Sequence, residues 1–138
     1  MIGITVLVVA LVAATVLGVV FRARAGKVRT TESSQDSSEV RSLLLAAGAE
    51  TGRATVLHFS ADWCGPCAAV RRVVGQVVDD LDGPVELELD IDAHPALARE
   101  LGVLSLPTTF VLDGRLAQRA RIAGVPTAAT LRGALVDL

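Results

Sequence analysis

Positions 2–21 (IGITVLVVALVAATVLGVVF) carry no charge and no polar face; the two threonines can return their hydroxyls to a helix backbone. The run is as long as the ~20 apolar residues that a bilayer-spanning helix needs. The pattern then reverses. Residues 30–38 (TTESSQDSS) lack large apolar side chains and read as a flexible linker.

From residue 39 the apolar positions recur at regular spacings. Val40, Leu43, Leu44 and Ala47 share one helical face within 39–50, before Gly48 and Gly52. The run 54–60 (ATVLHFS) reads as a buried strand. Over 67–81, Val70, Val73, Val74, Val77, Val78 and Leu81 follow the i, i+3, i+4, i+7 rule, with Arg71, Arg72, Gln76, Asp79 and Asp80 on the other side. Pro66 suits the first turn of that helix, and Gly83 is placed to end it. Residues 85–91 (VELELDI) alternate as a strand with one polar face. A short helix over 96–101 takes Asp92 as its N-cap. Strands at 108–112 and 116–122 flank the turn signal Asp113-Gly114. Pro126 opens a last helix that ends near Leu138.

This order predicts an α/β domain. Its first two strands form a right-handed βαβ unit, and the hairpin adds antiparallel strands. The result is a mixed central sheet of about four or five strands between two helical layers, preceded by one N-terminal transmembrane helix. The expected division is 1–21 as membrane anchor, 22–38 as basic flank and flexible linker, and 39–138 as the folded domain.

Composition narrows the function. A net charge of −2 gives no field for nucleic acid, and aromatics at 3 % with no tyrosine leave no platform for stacking bases. No basic residue precedes the apolar run, as a removable signal peptide would require, and the cleavage-like Ala23-Arg24-Ala25 lies in a basic cluster. An uncleaved single-pass anchor fits better. Arg22, Arg24, Lys27 and Arg29 follow the run, so the domain is expected on the cytoplasmic side, with the extracytoplasmic side as the alternative.

The two cysteines stand together in HFSADWCGPCAAVRR, residues 58–72. A closed zinc site needs about four ligands, and His58 and His94 have no suitable spacing. A structural staple is a poor reading, because so short a loop restricts the unfolded chain little. A redox pair explains the placement. A strand delivers Cys64 to the mouth of a helix, where unpaired N–H groups and the helix dipole favour the thiolate. Cys67 lies one turn further in, within reach of a disulfide, and Gly65-Pro66 shape the turn between them.

The stretch Phe59-Ser60-Ala61-Asp62-Trp63-Cys64-Gly65-Pro66-Cys67 resembles the active-site segment of the thioredoxin family. Asp90-Ile91-Asp92 followed by Pro95 resembles that family's third-strand exit; Leu106-Pro107-Thr108 resembles its cis-proline loop, and Gly124 its glycine after the last strand. The resemblance covers about residues 39–138. It implies a thioredoxin-like three-layer sandwich and a protein-disulfide oxidoreductase. Cys64 would be the nucleophile and Cys67 the resolving thiol. Trp63, Gly65, Pro66, Leu106, Pro107 and Gly124 would line the substrate site, with an extended chain pairing beside Pro107. No metal or organic cofactor is implied beyond the reversible Cys64–Cys67 disulfide. The partners implied are disulfide-containing protein substrates and, as electron donor, a dithiol or flavin-dependent reductase.

Three positions depart from the family. His58 stands where a buried aspartate is usual, and Glu88 where a lysine is usual. A charge-reversed pair, with His58 as base and Glu88 as its partner, is one reading. The other is a packing histidine beside a plain acidic face, since Glu86, Glu88 and Asp90 alternate together. The third departure is the missing mid-helix proline, with Arg72 near its place. Two rivals to a tethered reductase remain. One is an extracytoplasmic exchange protein for cytochrome maturation or disulfide repair; the other is a non-catalytic binding module of the same fold.

Overall fold

Alternation along two adjacent buried strands decides the architecture. Every residue of strand β2 (Thr55–Ser60) and strand β4 (Thr108–Leu112) is buried, so both need cover on both faces. The computed structural model, which describes residues 2–24, 28–30, 38–136 and 138, supplies that cover with two pairs of helices. Helices α2 (Ser38–Ala46) and α4 (Pro95–Glu100) pack together on one face. Leu57, Phe59, Phe110 and Leu112 point there, with Leu44 and Leu97 beneath the helices. Helices α3 (Cys67–Asp80) and α5 (Ala128–Leu135) pack on the other. There Val56, Val111 and Ile122 meet Val70, Val74, Val77 and Leu131. The valine stripe read from the sequence is this inner face of α3.

Strands β3 (Val85–Asp90) and β5 (Gln118–Ala123) complete the unit, and β1 (Val28–Thr30) adds a short edge. The sheet order is β1-β5-β4-β2-β3. β2 and β3 are parallel across the α3 crossover; the other neighbours are antiparallel. The mixed, three-layer α/β arrangement expected from the sequence is therefore present.

Several boundaries differ. β1 lies inside the 22–38 stretch read as basic flank and flexible linker and pairs with residues 120–122 of β5. An uncovered edge offers free N–H and C=O groups that a neighbouring extended segment can satisfy. Residues 31–37 of that linker lie outside the described residues. The last strand starts at Gln118, because residues 113–117 form the turn: Asp113 Oδ1 accepts from the N–H groups of Arg115 and Ala117, and Leu116 takes φ +66°. Asp92 does not cap α4. Its N–H donates to Asp90 Oδ1, and α4 begins at Pro95 after His94. Thr127 caps α5 by accepting from the Thr130 N–H, so that helix starts at Ala128.

The apolar N-terminal run forms helix α1 (Ile2–Arg24), in which the Thr15 hydroxyl donates to the Leu11 carbonyl. The side chains described in α1 are those of Gly3 and residues 5–18, and all are exposed. Among the described residues, no helix is long and apolar enough to cross a membrane.

Candidate active site

β2 leads straight into the cysteine loop. The Cys64 N–H donates to the Ala61 carbonyl and the Cys67 N–H to the Cys64 carbonyl, so two consecutive turns place Cys64 just ahead of α3. Pro66 is the N-cap of α3 rather than part of its first turn, with φ −71°, and its missing N–H leaves no donor orphaned there. Cys64 and Cys67 are joined by a disulfide, with Cα atoms 5.5 Å apart. Cys64 is half-buried, whereas Cys67 is 2 % exposed, and its sulfur lies 3.8 Å from the Phe59 carbonyl oxygen. The pair is asymmetric: one sulfur can be approached from outside, the other only through the first. Gly65 and Pro66 are exposed, and Trp63 stands out at 71 % exposure.

The second loop reaches the same place through the sheet. Thr108, the first residue of β4, pairs with Phe59, whose carbonyl faces Cys67. Pro107 precedes it, and the Leu106–Pro107 peptide is cis. Gly124, at φ +82°, donates its N–H to the Pro107 carbonyl at 2.9 Å. Leu106, Pro107 and Gly124 are thus tied together at the end of the sheet where the cysteines sit.

A charged cluster lies on the α3 side of β2 and β3. His58 is fully buried, and its Nε2 donates to Glu86 Oε1 at 2.7 Å. A carboxylate can only accept, so Nε2 carries the hydrogen, and in the neutral ring Nδ1 is then the nitrogen with the lone pair. Nδ1 is buried without a hydrogen-bond partner among the described residues. So is the hydroxyl of Thr109, which pairs with His58 across the strands. The His58–Glu88 pair, one of the two readings of the sequence, is not formed. Backbone register does set His58 beside Glu88, but Arg71 of α3 takes that carboxylate with both arms of its guanidinium, Nε to Oε2 at 2.7 Å and Nη2 to Oε1. A bidentate, charge-assisted pair outcompetes a single imidazole contact, and Glu86, two residues back on the same face, reaches His58 instead. The Arg71 hydrogen bonds hold the Glu88 carboxyl down at about 2 against partial burial, with further help from a Ser60 hydrogen bond and from the Arg71 charge. The same bonds raise the Arg71 guanidinium above its ordinary value.

Glu86, Arg71 and Ser60 belong to this cluster although the sequence reading gave them no role. The available signal was Arg71 itself. It follows Cys67 by four positions, so the two share one side of α3. Gly75, one turn further on, faces Glu86: a Cβ there would sit 3.9 Å from Glu86 Oε2, in ordinary van der Waals contact. Among the described residues, no group of three or more His, Cys, Asp or Glu could hold a metal ion.

Residues 45–136, well over half of the chain, match the family model described as Thioredoxin. A thioredoxin of Chlorobaculum thiosulfatiphilum is 33 % identical over 66 residues, which are 47 % of this chain and 61 % of that protein. Thioredoxin H2 of Arabidopsis thaliana is 36 % identical over 75 residues, 54 % of this chain and 56 % of that protein. The chain spans about six tenths of the length of these curated relatives. Among solved structures, a mutant thioredoxin from Halobacterium salinarum superposes with a TM-score of 0.56 at 28 % identity, over 62 % of this chain and 74 % of that one.

Proposed function

Because this chain belongs to the thioredoxin family, we propose that it is a protein-disulfide oxidoreductase working through Cys64 and Cys67. The observation that carries the reading is the asymmetry of the disulfide: Cys64 is reachable ahead of the α3 N-terminus, and Cys67 is buried behind it. In the reduced protein, unpaired N–H groups at the helix start favour the Cys64 thiolate. That thiolate attacks one sulfur of a substrate disulfide. A mixed disulfide forms, and the other substrate sulfur leaves as a thiolate and takes a proton. Cys67 then loses its proton, attacks the Cys64 sulfur and displaces the second substrate sulfur. The substrate gains two electrons and two protons, and the Cys64–Cys67 disulfide is restored. A dithiol protein or a flavin-dependent reductase re-reduces it.

The proton of Cys67 needs an acceptor in a buried site. His58 is suited to the task, since its Nδ1 lone pair is buried and unengaged while Glu86 holds the other ring nitrogen. The groove for an extended substrate chain runs past Trp63 and the Leu106–Pro107 peptide. Trapping tests the assignment. Cys67→Ser should accumulate mixed disulfides with substrate proteins, and Cys64→Ser should not. Equal trapping by both variants would dissolve the division of roles. A binding module without catalysis would not accelerate the reduction of insulin by dithiothreitol.

The finer reading adds a membrane tether through residues 2–21, with the domain on the cytoplasmic side. Its support is the uncharged run, the outward apolar side chains of α1 such as Leu7, Leu11 and Leu17, and the basic residues that follow. A reporter fused after Leu138 tests the side. Activity only in the extracytoplasmic compartment would transfer the protein to the exchange pathways of that compartment.

A further inference from the structure

Arg121 joins two parts of the fold that meet at the groove. It lies on β5 directly across from Phe110. Its guanidinium carbon sits 5.2 Å from the centre of the Phe110 ring. Beyond the ring the fork reaches the end of α4, where Nη1 donates to the Leu101 carbonyl at 3.0 Å and Nη2 to the Gly102 carbonyl.

The Leu101 carbonyl belongs to the C-cap of α4, and the Gly102 carbonyl lies just beyond it. Gly102, at φ +63°, donates its N–H to the Arg99 carbonyl, and the Val103 N–H donates to the Ala98 carbonyl. This double bond is a Schellman stop, and it serves only the carbonyls of the preceding turn. A planar fork over an aromatic face reaches both carbonyls from two separate nitrogens in one fixed geometry; a lysine would have to reach both from one nitrogen.

The clamped segment runs on through Val103 and Leu104 to the cis peptide before Pro107. At its far end it is fixed again, by Thr108 Oγ1 donating to the Ser105 carbonyl and by the Gly124 bond to Pro107. Between the two fixed ends, Leu104 projects into solvent at 94 % exposure. With Trp63, Ile91, Pro95 and Val103 it walls a groove that opens beside the cysteine loop.

We propose that Arg121 is a positioning residue for polypeptide substrates. It sets the height of the 102–104 segment, and hence the distance between the Leu104 and Trp63 walls, without touching the reacting sulfurs. The inference rests on the oxidoreductase reading above.

The test uses the full chain in detergent micelles, with insulin as polypeptide disulfide and 5,5′-dithiobis(2-nitrobenzoate) as a small one. Arg121→Met keeps the apolar stem on Phe110 and removes the fork; Arg121→Lys keeps the charge and removes the second arm. Both should raise KM for insulin about tenfold with kcat nearly unchanged, because a shift of the wall weakens docking and not sulfur exchange. The rate on the small disulfide, which does not span the groove, should change far less. Leu104→Ser should raise the insulin KM as well, and combining it with Arg121→Met should add less than the sum of the two. If Arg121→Met fails to fold, Arg121→Lys and the Leu104→Ser pairing with it carry the same comparison. Unchanged insulin KM in a folded variant, or equal loss on both substrates, overturns the positioning role. A wild-type protein that reduces neither substrate instead removes the oxidoreductase reading on which it stands.

Discussion

His58 bonds to Glu86 and not to Glu88, although Glu88 is its neighbour in backbone register. Two acidic side chains on one face of β3 therefore have different duties. Glu86 orients a buried imidazole, and Glu88 braces α3 through Arg71.

The first prediction separates those duties. His58→Ala should slow resolution of the mixed disulfide by at least about tenfold; general-base help is usually worth about 10²–10⁴, and a thiol needs less of it than a hydroxyl. Attack by Cys64 should be nearly unaffected. Glu86→Gln should show the same selective effect in smaller measure, and Glu88→Gln should not. Quenched single-turnover reduction of a model disulfide resolves the two steps. Wild-type resolution by His58→Ala across pH 6 to 8 would leave His58 as packing alone.

Glu88 makes a pH statement. Its carboxyl is lowered from 4.5 to about 2, first by the Arg71 hydrogen bonds. A depressed carboxyl contributes stability above its unfolded value, and that contribution fades as pH falls through the folded value. Wild type should therefore lose stability relative to Glu88→Gln between about pH 4.5 and about 2, with the full difference present at pH 7. Urea midpoints for the two proteins across this range give the measurement. A gap that stays constant down to pH 2 would show that the pair adds nothing linked to protonation.

Thr55 is 1 % exposed, and its hydroxyl has no partner among the described residues. A buried hydroxyl without a hydrogen bond costs about 1–3 kcal/mol by mutational measures. Thr55→Val keeps the branched shape and removes the orphan oxygen. Denaturant unfolding should show a gain of about 1 kcal/mol, and a loss of that size would mean that the hydroxyl is hydrogen-bonded in solution.

The edge strand dictates where the chain can be shortened. Removing residues 1–24 spares β1, whereas removing 1–30 strips it and uncovers the β5 edge. The shorter deletion should give a redox-active domain of undiminished stability. The longer one should lower the urea midpoint, by about 1 kcal/mol of ladder bonding, and promote self-association through the bare edge. Identical behaviour of the two products would show that the pairing is not maintained in solution.

Local pattern carried most of the fold. The valine spacing of α3, the alternation of β3 and the apolar run of β2 each bury a face that the sequence already marks. The CGPC stretch carries its own chemistry, and its position between strand and helix follows from those neighbours. What failed to show was decided between distant segments. Nothing in the spacing of Glu86 and Glu88 says which one Arg71 will take, because that depends on how α3 lies across β3. A strand of three residues such as β1 is too short for any period, and its partner is about 90 positions away. Arg121 reads as one of several arginines on a half-exposed strand until the end of α4 is placed above it.

Only residues 25–27 separate the end of α1 from β1. Three residues span at most about 10 Å. For a chain anchored in a bilayer, that is a short leash attached to the rim of the sheet, and the remaining linker cannot lengthen it while β1 stays paired. Under the proposed tether the cysteines would sweep a layer along the lipid surface. Disulfides of other membrane-held proteins would be met there at raised effective concentration.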